Sequence, residues 1–144
     1  TGHAEIAALR EGVAMQGDPV HPVFARGFQH STLARRVPSW FFETVVAESL
    51  KVPAHVWRSA LDAQIAEDSM ADHAAITAPT LVLWGDKDGI GSHTQQTLIS
   101  TAIRDARLTV YGGIGHNPHW EVPHRVAADI AAFLDVALRG RRAA

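Results

Sequence analysis

Two short loops hold the residues of this chain best suited to moving a proton. The first is Gly85-Asp-Lys-Asp-Gly89, with carboxylates at 86 and 88. The second is Gly112-Gly-Ile-Gly-His116, followed by Asn117, Pro118, His119, Trp120 and Glu121. Histidine is the side chain whose ordinary pKa puts its charge change near neutral pH. A carboxylate beside it fixes the ring tautomer and stabilises the imidazolium that forms when a proton is accepted. Glycines at 112, 113 and 115 permit positive φ and close approach of other backbone. Acid and base of this kind ask for a nucleophile, and the absence of cysteine excludes a thiolate, along with disulfides and thiolate metal sites.

The flanking patterns say how these loops are brought together. Thr80-Leu-Val-Leu-Trp84 is a continuous apolar run, as expected of a strand buried on both faces of a parallel sheet. Arg107 to Tyr111 reads as a second strand. Between them lies a helix over about 92–103, with Ser92 at its N-cap and Gln95 at the matching capping-box position. A last helix over about 123–138 buries Val126, Ile130, Phe133, Leu134 and Ala137. Strand, helix, strand, helix makes one right-handed βαβ crossover plus a closing helix. Ligands collect at the carboxyl ends of such strands, where both loops lie. Residues before Ala78-Pro79 have another texture: helices separated by prolines, with no convincing strand. One helix spans about 4–15 and ends at the Gly17-Asp-Pro19 turn. Another opens at Pro38 and carries Trp40, Phe41, Phe42, Val45, Val46 and Leu50. A third opens at Pro53 and carries Val56, Trp57, Ala60, Leu61 and Ile65. On pattern alone these aromatics form either a helical core or a lid over a pocket.

Pro79-Thr-Leu-Val-Leu-Trp-Gly-Asp-Lys-Asp88, followed by Gly113-Ile-Gly-His-Asn-Pro-His-Trp-Glu-Val-Pro123, resembles the C-terminal part of an α/β-hydrolase. In that family the penultimate strand ends in Gly-x-x-Asp and the last strand in a glycine-flanked histidine. The resemblance implies Asp88 as the triad acid and His116 as the general base, leaving Asp86 as a turn former. Phe28-Gln-His-Ser-Thr-Leu33 and Lys51-Val-Pro53 look more loosely like the family's helical cap. The implied fold class is α/β: a helical cap over 1–78, then the C-terminal part of the core over 79–144. The family's nucleophile sits in a Gly-x-Ser-x-Gly elbow, and this chain has none; Gly89-Ile-Gly-Ser-His93 departs from it. The expectation is therefore part of a hydrolase of small esters or lactones whose nucleophile lies outside the chain, so that the chain alone is inactive. Alternatives are a non-catalytic small-molecule receptor of the same fold, or an epoxide hydrolase or dehalogenase with an aspartate nucleophile. The cap aromatics Trp40, Phe41, Phe42 and Trp57 are expected to roof an apolar pocket over His116. Trp40, Phe41, Trp57 and His119 are the candidate substrate contacts. Trp120 reads as packing, and Glu121 as serving the N-terminus of the final helix.

Composition narrows the partners. The 144 residues are 47 % hydrophobic and 19 % charged, and 13 basic against 15 acidic side chains leave a net charge of −2. Nucleic acid or an anionic membrane surface would call for a basic excess. The only basic cluster is Arg139-Gly-Arg-Arg142, read as a solvated end. No apolar run approaches the roughly 20 residues of a membrane helix. His116, His119 and His124 lack a carboxylate or thiolate set, and Pro118 breaks any helix aligning the first two, so neither a metal nor a cofactor is expected. The chain opens on threonine, which reads as a non-native N-terminus; a cytoplasmic location is the expectation. An apolar strand without neighbours on one side predicts a dimer, or association with a missing N-terminal half.

Overall fold

The computed structural model describes residues 2–66 and 70–142. Helices come first: α1 (Gly2–Ala14), α2 (Pro22–Ser31), α3 (Ser39–Ser49), α4 (Ala54–Ala66) and the single turn α5 (Met70–His73). Then follow β1 (Thr80–Gly85), α6 (His93–Ala102), β2 (Ala106–Tyr111), the short α7 (Pro118–Glu121) and α8 (Pro123–Arg142). Helix α2 has no counterpart in the sequence reading, although Phe24 and Phe28 stand four residues apart, at helical spacing. Tertiary packing uses that spacing. Phe24 and Phe28 meet Trp57 of α4 edge-on, with ring centroids 5.8 and 5.2 Å apart, beside a small core of Val20, Ala25 and Ala54. His21 caps the helix, its Nδ1 accepting from the Val23 N–H at 3.2 Å.

The two strands are parallel, in register from Thr80 opposite Ala106 to Gly85 opposite Tyr111, so they end side by side. Beneath their ends lies a core of Tyr111, Ile114 and Val126, joined by Leu83 and Val122. The Tyr111 hydroxyl donates to Asp129 at 2.6 Å, and the Arg125 guanidinium lies 4.6 Å over its ring, which locks α8 against β2. Burial, with the Asp129 carboxylate beside it, pushes the phenol up to about 12.

The outer surfaces differ from expectation. β1 was expected to be buried on both faces, yet Leu81, Val82 and Leu83 are only half-buried. The physical reason is coverage: among the described residues the sheet has two strands. The stripe assigned to α8 is buried at Val126 but exposed at Ile130 and Leu134, and Leu98 of α6 and Val110 of β2 are exposed as well. Helix α8 runs beyond the expected end to Arg142; the side chains of Arg141 and Arg142 in the basic tail lie outside the described residues. No helix among the described residues is long and apolar enough to cross a membrane.

Candidate active site

Asp88 sits in a loop that is held largely by its own residues. Its N–H donates to the Gly85 carbonyl at 3.1 Å, closing a turn at the end of β1. Its Oδ1 accepts from the Ile90 and Gly91 N–H groups at 2.8 and 3.0 Å, and Oδ2 lies 2.9 Å from His116 Nδ1. The indole Nε1 of Trp84 donates to the Gly91 carbonyl at 2.8 Å, bracing the loop from the buried end of β1. The Asp88 side chain is 5 % exposed. Burial raises its pKa, but the bonds from His116, Gly91 and Ile90 outweigh it and hold the carboxyl below its ordinary range. Asp86 accepts from the Gly113 N–H at 2.6 Å, bridging the two loops. The bridge is tight: a Cβ at Gly85 would stand 2.2 Å from the Gly115 carbonyl oxygen.

His116 is held differently. Gly113 turns the chain at φ 73°, in the left-handed region. Gly115 then lies so close to the segment after α2 that a Cβ would come within 2.6 Å of both the Thr32 oxygen and the Ala34 nitrogen. The His116 N–H donates to the Thr32 carbonyl at 2.9 Å. Asn117, buried, donates from Nδ2 to Thr32 Oγ1 at 2.9 Å, and that hydroxyl donates onward to the Gln29 carbonyl at 2.8 Å. Glu121 corrects its expected role. Its carboxylate takes the Gly115 N–H at 2.8 Å and the Arg35 N–H at 2.6 Å, because these two donors, not those of α8, are within its reach. Thr32 and Asn117 were missed in the sequence; the polar residue directly after the histidine was the available signal.

Facing a carboxylate acceptor, His116 Nδ1 carries the proton, and Nε2 makes no hydrogen bond among the described residues. The ring is 40 % exposed. The hydrogen bond to Asp88 raises the imidazole pKa; burial opposes this, and the carboxylate charge reinforces it. An acid with a low pKa orienting a base with a raised one, at paired strand ends, is an arrangement able to accept and return a proton.

No family model matches the chain. It is 37 % identical over 76 residues to Lipase 3 of Moraxella sp. (strain TA144), covering 50 % of this chain and 24 % of that protein. It is 36 % identical over 77 residues to Lipase 1 of Psychrobacter immobilis, again covering 24 % of the relative. Its backbone superposes on an esterase from Exiguobacterium antarcticum with a TM-score of 0.79 at 21 % identity, over 92 % of this chain and 48 % of that one. The chain folds as the C-terminal part of an α/β-hydrolase. A bromoperoxidase from Bacillus anthracis superposes equally well, at 0.79 and 19 % identity over 92 % of this chain and 49 % of that one. The chain thus spans about a quarter of the length of the lipases it matches and about half of these α/β-hydrolase structures.

On this α/β-hydrolase frame, a cavity of about 270 Å³ opens beside His116, lined by Leu9, Val13, Phe28, Trp57, Leu61 and Ile90 among others. A second, of about 370 Å³, shares Leu9, Phe28 and Ile90 and extends to Ile6 and Ser31. Of the four candidate contacts, Trp57 shares the cavity with His116. Trp40 and Phe41 do not line it, nor does Phe42, which meets His30 edge-on. Instead Trp40, Phe41, Trp120 and His119 form an edge-to-face file from α3 to α7, with successive centroids 5.9, 5.7 and 5.4 Å apart. Trp40 is 72 % exposed. Burial, and then the nearby His116, lower the His119 pKa. The helical walls of the cavity come from α1, α2 and α4, with none from α3, and Ile90 and His116 line it from the strand-end loops.

Proposed function

We propose that this chain supplies the orienting acid, Asp88, and the general base, His116, of an ester hydrolase whose nucleophile lies outside it. The observation that carries the reading is the 2.9 Å bond between Asp88 Oδ2 and His116 Nδ1 at adjoining strand ends, next to an apolar cavity. His116 Nε2 would take the proton of a nucleophilic hydroxyl as its oxygen attacks the ester carbonyl. The imidazolium, steadied by Asp88, returns that proton to the departing alcohol; a water then repeats the sequence and releases the acid. The lining of Leu9, Val13, Trp57 and Leu61 suits a small apolar acyl group. The lipase and esterase names of the similar proteins support ester chemistry over the aspartate-nucleophile alternative.

In the full-length protein, turnover of a simple aryl ester is expected to fall at least ~10³-fold in His116→Ala. Near wild-type turnover in that variant would remove His116 from the mechanism, and a wild-type protein that binds esters without turning them over would favour the receptor reading. The exposed apolar residues Leu98, Val110, Ile130 and Leu134 support a further part of the proposal, that other strands and helices, or a second copy, cover them. Sedimentation of the isolated chain above its monomer mass is expected; a cooperative monomer at micromolar concentration would sink that part.

A further inference from the structure

We infer that Glu121, Thr32 and Asn117 form a clasp that positions His116 by fastening its loop to the end of α2, so that the helical region controls the competence of the base. The inference rests on the general-base reading of His116, but its test reads the ring directly. Three consecutive residues are gripped. The Gly115 N–H is held by Glu121, the His116 N–H by the Thr32 carbonyl, and the Asn117 side chain by the Thr32 hydroxyl. Glu121 spends its other oxygen on the Arg35 N–H, so one carboxylate spans both sides of the junction. The packing leaves no slack, since a Cβ at Gly115 would meet Thr32, Ala34 and Glu121 atoms within 2.6–2.8 Å. The acid loop reaches the backbone just before these residues, where the Lys87 N–H donates to the Ile114 carbonyl at 2.9 Å, and Asp88 itself meets the ring. A base whose backbone is released from the clasp would hold its bond to Asp88 for less of the time, and ångström-scale misplacement of a reacting group costs up to about 100-fold in rate.

Two near-isosteric variants of the full-length protein test this. Glu121→Gln can accept from only one of the two N–H groups, because its amide nitrogen is a donor. Thr32→Val keeps the backbone carbonyl and side-chain shape and removes no charge, which separates positioning from loss of the Glu121 charge. The His116 ring is titrated by NMR and ester turnover is measured in parallel; the titratable groups that face the ring are Asp88 and His119. The expected result is a His116 pKa moved down toward its ordinary value in both variants, with kcat lowered roughly 10- to 100-fold and KM within about twofold. An unchanged ring pKa in the folded variants would overturn the inference, whatever happens to the melting temperature. If Glu121→Gln fails to fold, Thr32→Val decides. If the wild-type protein turns over no ester, the functional reading fails, and the titration still decides the clasp.

Discussion

The side chains of Asp88 and His116 meet through one 2.9 Å hydrogen bond, but the two residues are held on opposite plans. Around Asp88 the bonds are local: its own turn, two N–H groups within three residues, and Trp84 reaching seven residues ahead to Gly91. Around His116 the tethers come from the far end of the chain, with Asn117 bonded to Thr32 and Glu121 to Arg35 across 85 and 86 residues. The Asp88 loop takes its remaining support from β2 and the residues just after it, where the Tyr111 and Ile114 carbonyls accept the Asp86 and Lys87 N–H groups. A loop assembled from afar takes its shape only when the helical region has docked. The bonds made by the Asp88 carboxylate are thus mostly local and those holding His116 long-range, which places the dependence on the helical region on the histidine side.

Substitutions at the two glycines should sharpen this contrast most. Gly115→Ala would push a methyl group into the Thr32 carbonyl and the Ala34 nitrogen, backbone atoms that cannot swing aside. A destabilisation of about 2 kcal/mol or more is expected in denaturant titration. Gly91→Ala meets the movable end of the Gln96 side chain at 2.8 Å and the Asp88 Oδ2 at 3.1 Å, with no backbone atom in the way, so a smaller cost of about 1 kcal/mol is expected. Equal costs would erase the distinction. Next in size is Trp84→Phe, which fills most of the same volume but leaves the buried Gly91 carbonyl without its indole donor. It should cost about 1 kcal/mol and lower amide protection at Gly91 while leaving His116 unaffected; loss of protection at His116 would show that the indole brace acts beyond its own loop.

The smallest effect is in the pH dependence of stability. His116 has a raised pKa in the folded state, so its contribution is complete below its ordinary value of about 6.5 and is lost as pH rises through the raised one. Asp88 has a lowered pKa, so its contribution is complete above its ordinary value of about 3.9 and is lost as pH falls through the lowered one. The difference in melting temperature between wild type and Asp88→Asn should therefore be greatest between about pH 4 and 6.5. In the same variant the acid limb of the activity profile should move to lower pH, because the bond that raises the His116 pKa is weakened. A limb that stays in place would detach the acid from the base.

The same contrast decides what could be read in the sequence. The strands, α6 with its Ser92 cap, α8 and the Asp88 loop are short-range structures, and their signals sit within a few residues of one another. Apolar runs, an N-cap and a glycine-flanked aspartate are local statements. Helix α2 has weak local signals, with Gly27 in its interior and His21 as its cap, even though Phe24 and Phe28 stand four apart and both meet Trp57. Glu121 was assigned to its neighbouring helix because nothing local announces that Arg35 will be near it. The aromatic roof went partly astray for the same reason. Trp57 reached the cavity beside His116, while Trp40 and Phe41 joined a file with Trp120, a choice made by the placement of α3 and α7 that no spacing encodes.

The 85 residues between Thr32 and Asn117 also set a clock. A chain made at about 5–20 residues per second leaves Thr32 waiting roughly 4 to 17 s for its partner to be synthesised. Through that interval the end of α2 lacks its partners at residues 115–117, while the Asp88 carboxylate can already take the Ile90 and Gly91 N–H groups. The histidine is therefore the last of the pair to be set. Because the Ile90 and Gly91 amides bond to Asp88 itself, while the Asp86 and Lys87 amides need the Tyr111 and Ile114 carbonyls, protection during synthesis is expected first at Ile90 and Gly91 and last at His116.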